Sequence, residues 1–303
     1  MNFFQRQISS AVAWYGAKAP VHRGKWRVVE FCLDAFGLRS GYEKPVVAQR
    51  AGRLFELDLN SHIDRRIYYH NTYESWDTLF LETVLQPHWV MLDIGANIGW
   101  HSLMAARRIG SKGRIYAFEI SPDEMKKLKR NLALNNLTNV EPLLLAMSDK
   151  PGVVSVTETR GAGMTSIARS AAEAKIDVAA TSLDSFVEER KLERLDLIKV
   201  DIEGAEGKFL DGAKQTLSRL KPLLMMEFNP SALENFGTRL EDVVKILSEQ
   251  NYSVFRTGRR GLQRLKRLPQ GREYHNVMVL ALPGDVKDQI SWKELPPLIG
   301  KRD

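Results

Sequence analysis

The stretch Val90-Met91-Leu92-Asp93-Ile94-Gly95-Ala96-Asn97-Ile98-Gly99 decides the fold of this 303-residue chain. Its first half is an apolar run that reads as a strand buried on both faces, with Asp93 near its carboxyl end. Gly95 and Gly99 then permit a tight turn, and residues 99–109 follow as a helix. A strand, a glycine-bearing turn and a helix open a doubly wound α/β sheet, in which ligands sit beyond the carboxyl ends of the strands.

The pattern repeats downstream. RIYAFEI (114–120) reads as a second strand, with Ser121 and Pro122 starting a helix that runs to about Asn135. VEPLLLAMS (140–148) is a third strand, LDLIKVDI (195–202) a fourth and PLLMMEF (222–228) a fifth. Helices are expected over 205–220 and 240–249, and short strands over 253–257 and 274–281. This alternation predicts an α/β fold with a mostly parallel, doubly wound sheet. Upstream, Tyr73 to Leu85 has helical spacing and Pro87 ends it. RLFELDL (53–59) and IDRRIYY (63–69) read as paired strands, and residues 1–45 as a helical extension. The expected division is an extension over 1–70, a ligand-binding domain over 71–285 and a tail over 286–303.

Composition narrows the class. With 44% hydrophobic residues and no apolar run of membrane-spanning length, the chain reads as a soluble protein with a core. Cys32 is the only cysteine, which excludes an intrachain disulfide and fits a reducing, cytoplasmic setting. The net charge of +7 is unevenly spread. Met1 to Val29 holds basic residues and no acid, and so does Gln250 to Arg272. Such patches attract phosphates, nucleic acid, anionic lipid or acidic glycans.

Glu119 ends the second strand, 20 residues beyond Gly99, where a carboxylate can accept both hydroxyls of a ribose. The turn is not the G-x-G-x-x-G of a dinucleotide site. Asp93 would repel a pyrophosphate, whereas it can pair with the ammonium of a methionine-like ligand.

Further motifs carry a family resemblance: LDIGANIG (92–99), FEISP (118–122), NNLTNV (135–140), AMSD (146–149), TSLDSF (181–186), LIKVDIEGAE (197–206) and LMMEFNP (224–230). In this order they resemble the FkbM-type S-adenosylmethionine-dependent methyltransferases over about residues 70–282. The resemblance implies a class I, Rossmann-like fold, S-adenosyl-L-methionine as cofactor, and methylation of a hydroxyl on a glycan, lipid-linked sugar or secondary metabolite. It implies that Asp93, Gly95, Asn97 and Gly99 hold the methionine portion, Glu119 the ribose, and Ser148 with Asp149 the adenine. Glu74 matches a Tyr-Glu pair that the family places before its first strand, either reaching the methionine end or capping its helix.

Methyl transfer to a hydroxyl needs a proton acceptor beside the oxygen. Asp201 and Glu203, after the fourth strand, are the expected catalytic or substrate-orienting acids. Glu206 is the more structural neighbour, and Glu227, ending the fifth strand, is an expected acceptor-binding acid. Thr159 to Ser166, including Met164 and Thr165, reads as a loop over the acceptor. No metal is expected, and His101 reads as a packing residue. Methylation of nucleic acid or protein is the rival reading, although no aromatic platform accompanies the basic 250–272 segment, which argues against nucleic acid. A non-catalytic binding protein on this fold is a second rival. Residues 1–45, basic and bearing Trp14 and Trp26, are expected to rest on a membrane surface or to pack on the domain or a second subunit, so the oligomeric state stays open, with a dimer among the options.

Overall fold

The computed structural model describes residues 3–20, 24–159, 164–167, 176–256, 263–264 and 277–283. Helices α1 (Phe3–Lys18) and α2 (Lys25–Ala35) precede the hairpin of β1 (Val46–Arg50) and β2 (Arg53–Leu57), then α3 (His62–His70) and α4 (Ser75–Val84). Next come β3 (Val90–Ile94), α5 (Trp100–Ile109), β4 (Arg114–Glu119), α6 (Pro122–Leu134) and β5 (Val140–Leu144). After β6 (Ala146–Met147), β7 (Gly152–Thr159), β8 (Met164–Ile167) and β9 (Ile176–Thr181), helix α7 (Leu183–Glu189) leads back to β10 (Leu197–Val200). The chain continues through α8 (Glu206–Asp211), α9 (Lys214–Leu220), β11 (Leu223–Phe228), α10 (Pro230–Asn235) and α11 (Leu240–Glu249). Strands β12 (Tyr252–Arg256), β13 (Gln263–Arg264) and β14 (Val277–Pro283) complete it.

The main sheet has the order β13-β12-β14-β11-β10-β3-β4-β5. Neighbours from β11 to β5 run parallel, and β14 lies antiparallel between β11 and β12. Successive residues of one strand enter opposite cores: Met91, Ile115, Leu197 and Met225 face one cluster, and Leu92, Tyr116, Ile198 and Leu224 the other. Helices on both faces explain why these strands are continuously apolar. From β3 the chain winds outward through β4 and β5, and then returns to β10 on the other side of β3. The crevice between the ends of β3 and β10 is therefore the switch point where such sheets bind ligands. The α/β, doubly wound sheet expected from the sequence is the one observed.

Four local expectations are corrected. Residues 63–69 form helix α3, not a strand, and β2 pairs with β1 instead. Ser61 caps α3 by accepting from the Asp64 N–H, Asn71 closes it in a left-handed conformation, and Ile63 and Ile67 fall one helical turn apart. Residues 140–148 divide at Leu145, because β6 leaves the main sheet and joins a second one, β6-β9-β7-β8. In that sheet β7 and β8 pair antiparallel, Thr159 opposite Met164 and Glu158 opposite Thr165. Met164 and Thr165 thus belong to an edge strand and not to an open loop; residues 160–163 lie outside the described residues. The helix expected over 205–220 breaks between α8 and α9 at Gly212. A Cβ there would strike the Ser148 carbonyl oxygen, so this glycine admits the loop that follows β6.

The N-terminal helices are tied to the rest. Val12, Ala13, Val29, Leu33, Leu38 and Tyr69 form a small core of their own. The Tyr69 hydroxyl lies 2.6 Å from Ser9 Oγ and 2.6 Å from the Tyr42 hydroxyl. Gly16 lets α1 lie directly on α3, since a Cβ there would run into the Tyr69 carbonyl oxygen. Gly16→Ala, which raises helix propensity by about 1 kcal/mol, should therefore destabilise the protein, by roughly 2–3 kcal/mol. A melting temperature at or above that of the unaltered chain would show that α1 is not docked this way.

Candidate active site

Two turns meet at the switch point. The first follows β3: Gly95, Asn97 and Gly99 all have positive φ, at 79°, 49° and 91°. Gly95 and Ala96 donate to the Phe118 carbonyl of β4 at 3.0 and 2.8 Å. A Cβ at Gly95 would collide with the carbonyl oxygen of Asp201, so glycine is what lets this turn touch the second one. The second turn follows β10. Glu203 sits in it with φ 55° and Gly204 with φ 106°, and Glu206 opens α8.

A lysine joins them. Lys199, buried within β10, donates from Nζ to the Gly95 carbonyl at 3.0 Å and to Asp201 Oδ2 at 3.1 Å, and lies 3.8 Å from Asp93 Oδ1. Burial opposes its charge, but Asp201, Asp93 and Glu74 outweigh that and hold its pKa above the ordinary lysine value. Asp93 is completely enclosed. Its Oδ2 accepts from Ser102 at 2.6 Å, and burial raises its pKa against the opposing effect of Lys199. The chain itself brings a cation within 3.8 Å of Asp93 Oδ1, an oxygen that accepts no hydrogen bond among the described residues. Lys199 escaped the sequence reading, although a lysine inside the apolar LIKV strand was its signal.

Carboxylates crowd around that cation. Glu227, at the end of β11, is pushed up to about 10 by burial and by Asp201, Glu203 and Glu206, and is hydrogen-bonded to Asp201. These neighbours favour the protonated form of Glu227. Burial and Asp201 raise Glu203 also. Glu206 is pushed up to about 7 by burial, and its Oε1 accepts from the Ile202 N–H at 3.1 Å, which closes the turn. Tyr73 lies against Glu74, Asp201 and Glu227, its hydroxyl pKa raised first by burial. The sequence marked Tyr73 only as the start of a helical stretch and the neighbour of Glu74. Among the described residues, no group of three or more His, Cys, Asp and Glu side chains could hold a metal ion.

The remaining expected residues lie along the same sheet edge. Glu74, with φ 43° before α4, is pushed up to about 7 by burial and Asp201. Its Oε2 is 3.5 Å from His101 Nε2, and both atoms are buried with no hydrogen-bond partner among the described residues. Burial and Lys199 hold His101 well below the ordinary histidine range, so the ring is neutral and no ion pair forms. Glu119 Oε2 accepts from the Asn97 N–H at 2.7 Å, and its Oε1 from those of Ile120 and Ser121 at 2.8 Å each. Burial nonetheless pushes its pKa up to about 6. Ser148 donates to exposed Asp149 at 2.9 Å just past β6. Met164 and Thr165 stand in edge strand β8, beyond β9 and β7 from β6. Most of the basic 250–272 segment lies outside the described residues. A separate groove between α7 and α9 is lined by Asp184, Lys191 and Arg219 among others and by none of these acids.

The Methyltransferase FkbM domain model matches residues 93–254, just over half of the chain. The chain belongs to this family. It is similar to the hexuronic acid methyltransferase AglP of Haloferax volcanii, at 28% identity over 165 residues, 54% of this chain and 64% of that protein. The match therefore spans less than two thirds of AglP. It is also similar to the 2-O-methyltransferase NoeI of Sinorhizobium fredii, at 28% identity over 182 residues, 54% of this chain and 72% of that protein. Among solved structures, the FkbM methyltransferase of Methylobacillus flagellatus superposes with a TM-score of 0.44 at 16% identity, covering 92% of this chain and 59% of that one.

S-adenosylmethionine is the methyl donor that family membership implies, and the residues present fit it. Glu74 Oε2 is a buried acceptor oxygen without a partner at the switch point, as an ammonium group requires. Buried Glu119 and exposed Asp149 close β4 and follow β6, where they can accept from ribose hydroxyls and an adenine amine.

Two outcomes test this electrostatic arrangement. Lys199→Met leaves Asp93 and Asp201 without their cation, and should cost about 3–5 kcal/mol in urea unfolding; a loss below about 1 kcal/mol would show that the acids do not depend on it. The folded chain keeps the Glu227 proton up to about pH 10, whereas an unfolded chain releases it near pH 4.3. The folded state therefore binds the extra proton across that window, so this group's stabilisation is fully present below the window and is lost as pH rises through it. Glu227→Gln should flatten the decline in stability between neutral and alkaline pH, and an unchanged slope would count against a protonated Glu227.

Proposed function

We propose that this chain transfers the methyl group of S-adenosylmethionine to a hydroxyl oxygen of a glycan, lipid-linked sugar or secondary metabolite. One observation carries the reading: Lys199 fixes Asp201 beside the glycine turn, so a proton-accepting carboxylate stands next to the place where the donor's nucleoside would lie. The names of two similar proteins, a hexuronic acid methyltransferase and a 2-O-methyltransferase, support oxygen as the accepting atom.

When bound, the cofactor supplies an electrophilic methyl group on a sulfonium. Glu74 would pair with its ammonium, Glu119 with the ribose hydroxyls, and Ser148 with Asp149 at the adenine, while Gly95, Asn97 and Gly99 give the backbone its close approach. Asp93 acts through Lys199 and Ser102, which keep the turn and Asp201 in register. Asp201 accepts the proton of the attacking hydroxyl and Glu203 orients the acceptor beside it. Lys199 moderates Asp201's charge, and Glu227, already protonated, hydrogen-bonds to it and to the acceptor's oxygen atoms. Holding donor and acceptor in one closed crevice supplies the rest of the rate enhancement. Met164 and Thr165 are assigned to acceptor contact from the edge of the second sheet.

The assay is transfer of label from S-adenosylmethionine into fractionated glycan, lipid and RNA pools, with cofactor affinity measured by calorimetry. Asp201→Asn and Glu203→Gln should lower kcat by roughly 10²–10⁴-fold with little change in cofactor affinity. Glu74→Gln and Glu119→Gln should weaken cofactor binding by roughly ten- to a hundredfold. Full-rate turnover by both first variants would remove the acids from catalysis, and label entering only RNA would overturn the acceptor class.

A further inference from the structure

The outer faces of α1 and α2 carry side chains that no part of the described chain covers. Phe3, Phe4, Trp14 and Phe31 are 79%, 67%, 66% and 69% exposed. These are large apolar groups on two adjacent helices, not isolated surface residues, and such a patch on a soluble domain marks an interaction surface. On α1 the buried residues Ser9, Val12, Ala13 and Gly16 occupy one side. At 100° per residue, Phe3, Gln7, Ala11, Trp14 and Lys18 occupy the opposite side. On α2, Lys25, Val29 and Leu33 face inward, and Arg27, Val28 and Phe31 face outward.

Charge decides what fits there. Lys18 and Arg27 are exposed beside these aromatics and Arg6 on the flank of α1, and no salt bridge to any of them occurs among the described residues. The acids of α2 are already engaged: Glu30 is bonded to Arg39 and His70, at 2.8 and 2.7 Å, and Asp34 to Arg39 at 2.5 Å. Arg39 offsets only one of these two acids, but Arg6, Lys18 and Arg27 bring the cations to four against Glu30 and Asp34, so the outward face is apolar with a cationic excess. A second copy docking through the same patch in a two-fold arrangement would set these cations against each other. An anionic bilayer surface accepts both features, with aromatic rings among the headgroups and basic side chains on the lipid charge.

We propose that the α1–α2 face docks this protein on anionic lipid membranes. The helices are held to α3 through Gly16 and the Ser9–Tyr69–Tyr42 hydroxyls, so they present the patch as a fixed surface. Removing residues 1–45 would uncover Tyr69 and the small core around it, and point variants are the cleaner probe. Such docking brings the protein to a lipid surface, whatever atom it methylates.

The full chain should co-sediment with vesicles of phosphatidylcholine containing phosphatidylglycerol, and at least about tenfold less with phosphatidylcholine alone. Phe3→Ser, Phe4→Ser, Trp14→Ser and Phe31→Ser combined should weaken binding at least about tenfold. Arg6→Gln, Lys18→Gln and Arg27→Gln combined should weaken it similarly and reduce its salt dependence. Both variants should keep the melting temperature and cofactor affinity of the unaltered chain. No co-sedimentation, equal binding by the variants, or indifference to lipid charge overturns the proposal. A dimer in light scattering that the aromatic variant splits, with no vesicle binding, assigns the face to a second copy instead.

Discussion

Everything at the crevice depends on one buried cation. Lys199 stands in the middle of a parallel sheet where a charge without partners would not persist. It persists because the carboxylates of Asp93 and Asp201 and the carbonyl of Gly95 converge on it. The dependence is mutual, since those acids are buried or half-buried themselves. A hydrophobic residue at 199 would pack well in an apolar strand, but it would leave the acids to protonate or to separate. The lysine thus couples the two turns into one unit, and the catalytic reading of Asp201 follows from that coupling.

The carboxylates beyond it divide by environment. Asp201 faces the lysine, which suits it to the proposed role of proton acceptor. Glu227, hydrogen-bonded to it with two more acids nearby, keeps its proton. Glu206 spends one oxygen closing its own turn. Clustered acids of similar intrinsic strength thus acquire different tasks from their neighbours alone.

The main sheet was legible in the sequence because burial on both faces forces apolar strands such as VMLDI and LLMMEF, and few other structures need them. Glu119 and the glycine turn were legible because positive φ and a strand-end acid at fixed spacing leave a local signature. What was missed lacked one. IDRRIYY looks strand-like until the Ser61 cap and the Asn71 terminator are weighed together. The β6–β9 sheet arises from pairings between distant segments, and β6 is too short to announce itself. Lys199 was passed over because an isolated lysine in a strand acquires meaning only when the ends of β3 and β10 are brought side by side. Asp93 was legible as a strand-end acid, but its neighbour Lys199 was not, because the two lie on different strands.

One proline on the sheet has a consequence for the protein's behaviour in crowded solution. Among the described residues β5 is the outermost strand on its side, and Pro142 lies in it opposite Ala117 of β4. An outermost strand normally offers a row of backbone donors and acceptors to any extended peptide that arrives. Pro142 removes a donor from that row and fixes its own φ, so an incoming strand cannot complete its ladder there. The edge is thereby discouraged from recruiting an extended segment of a neighbouring molecule on this side.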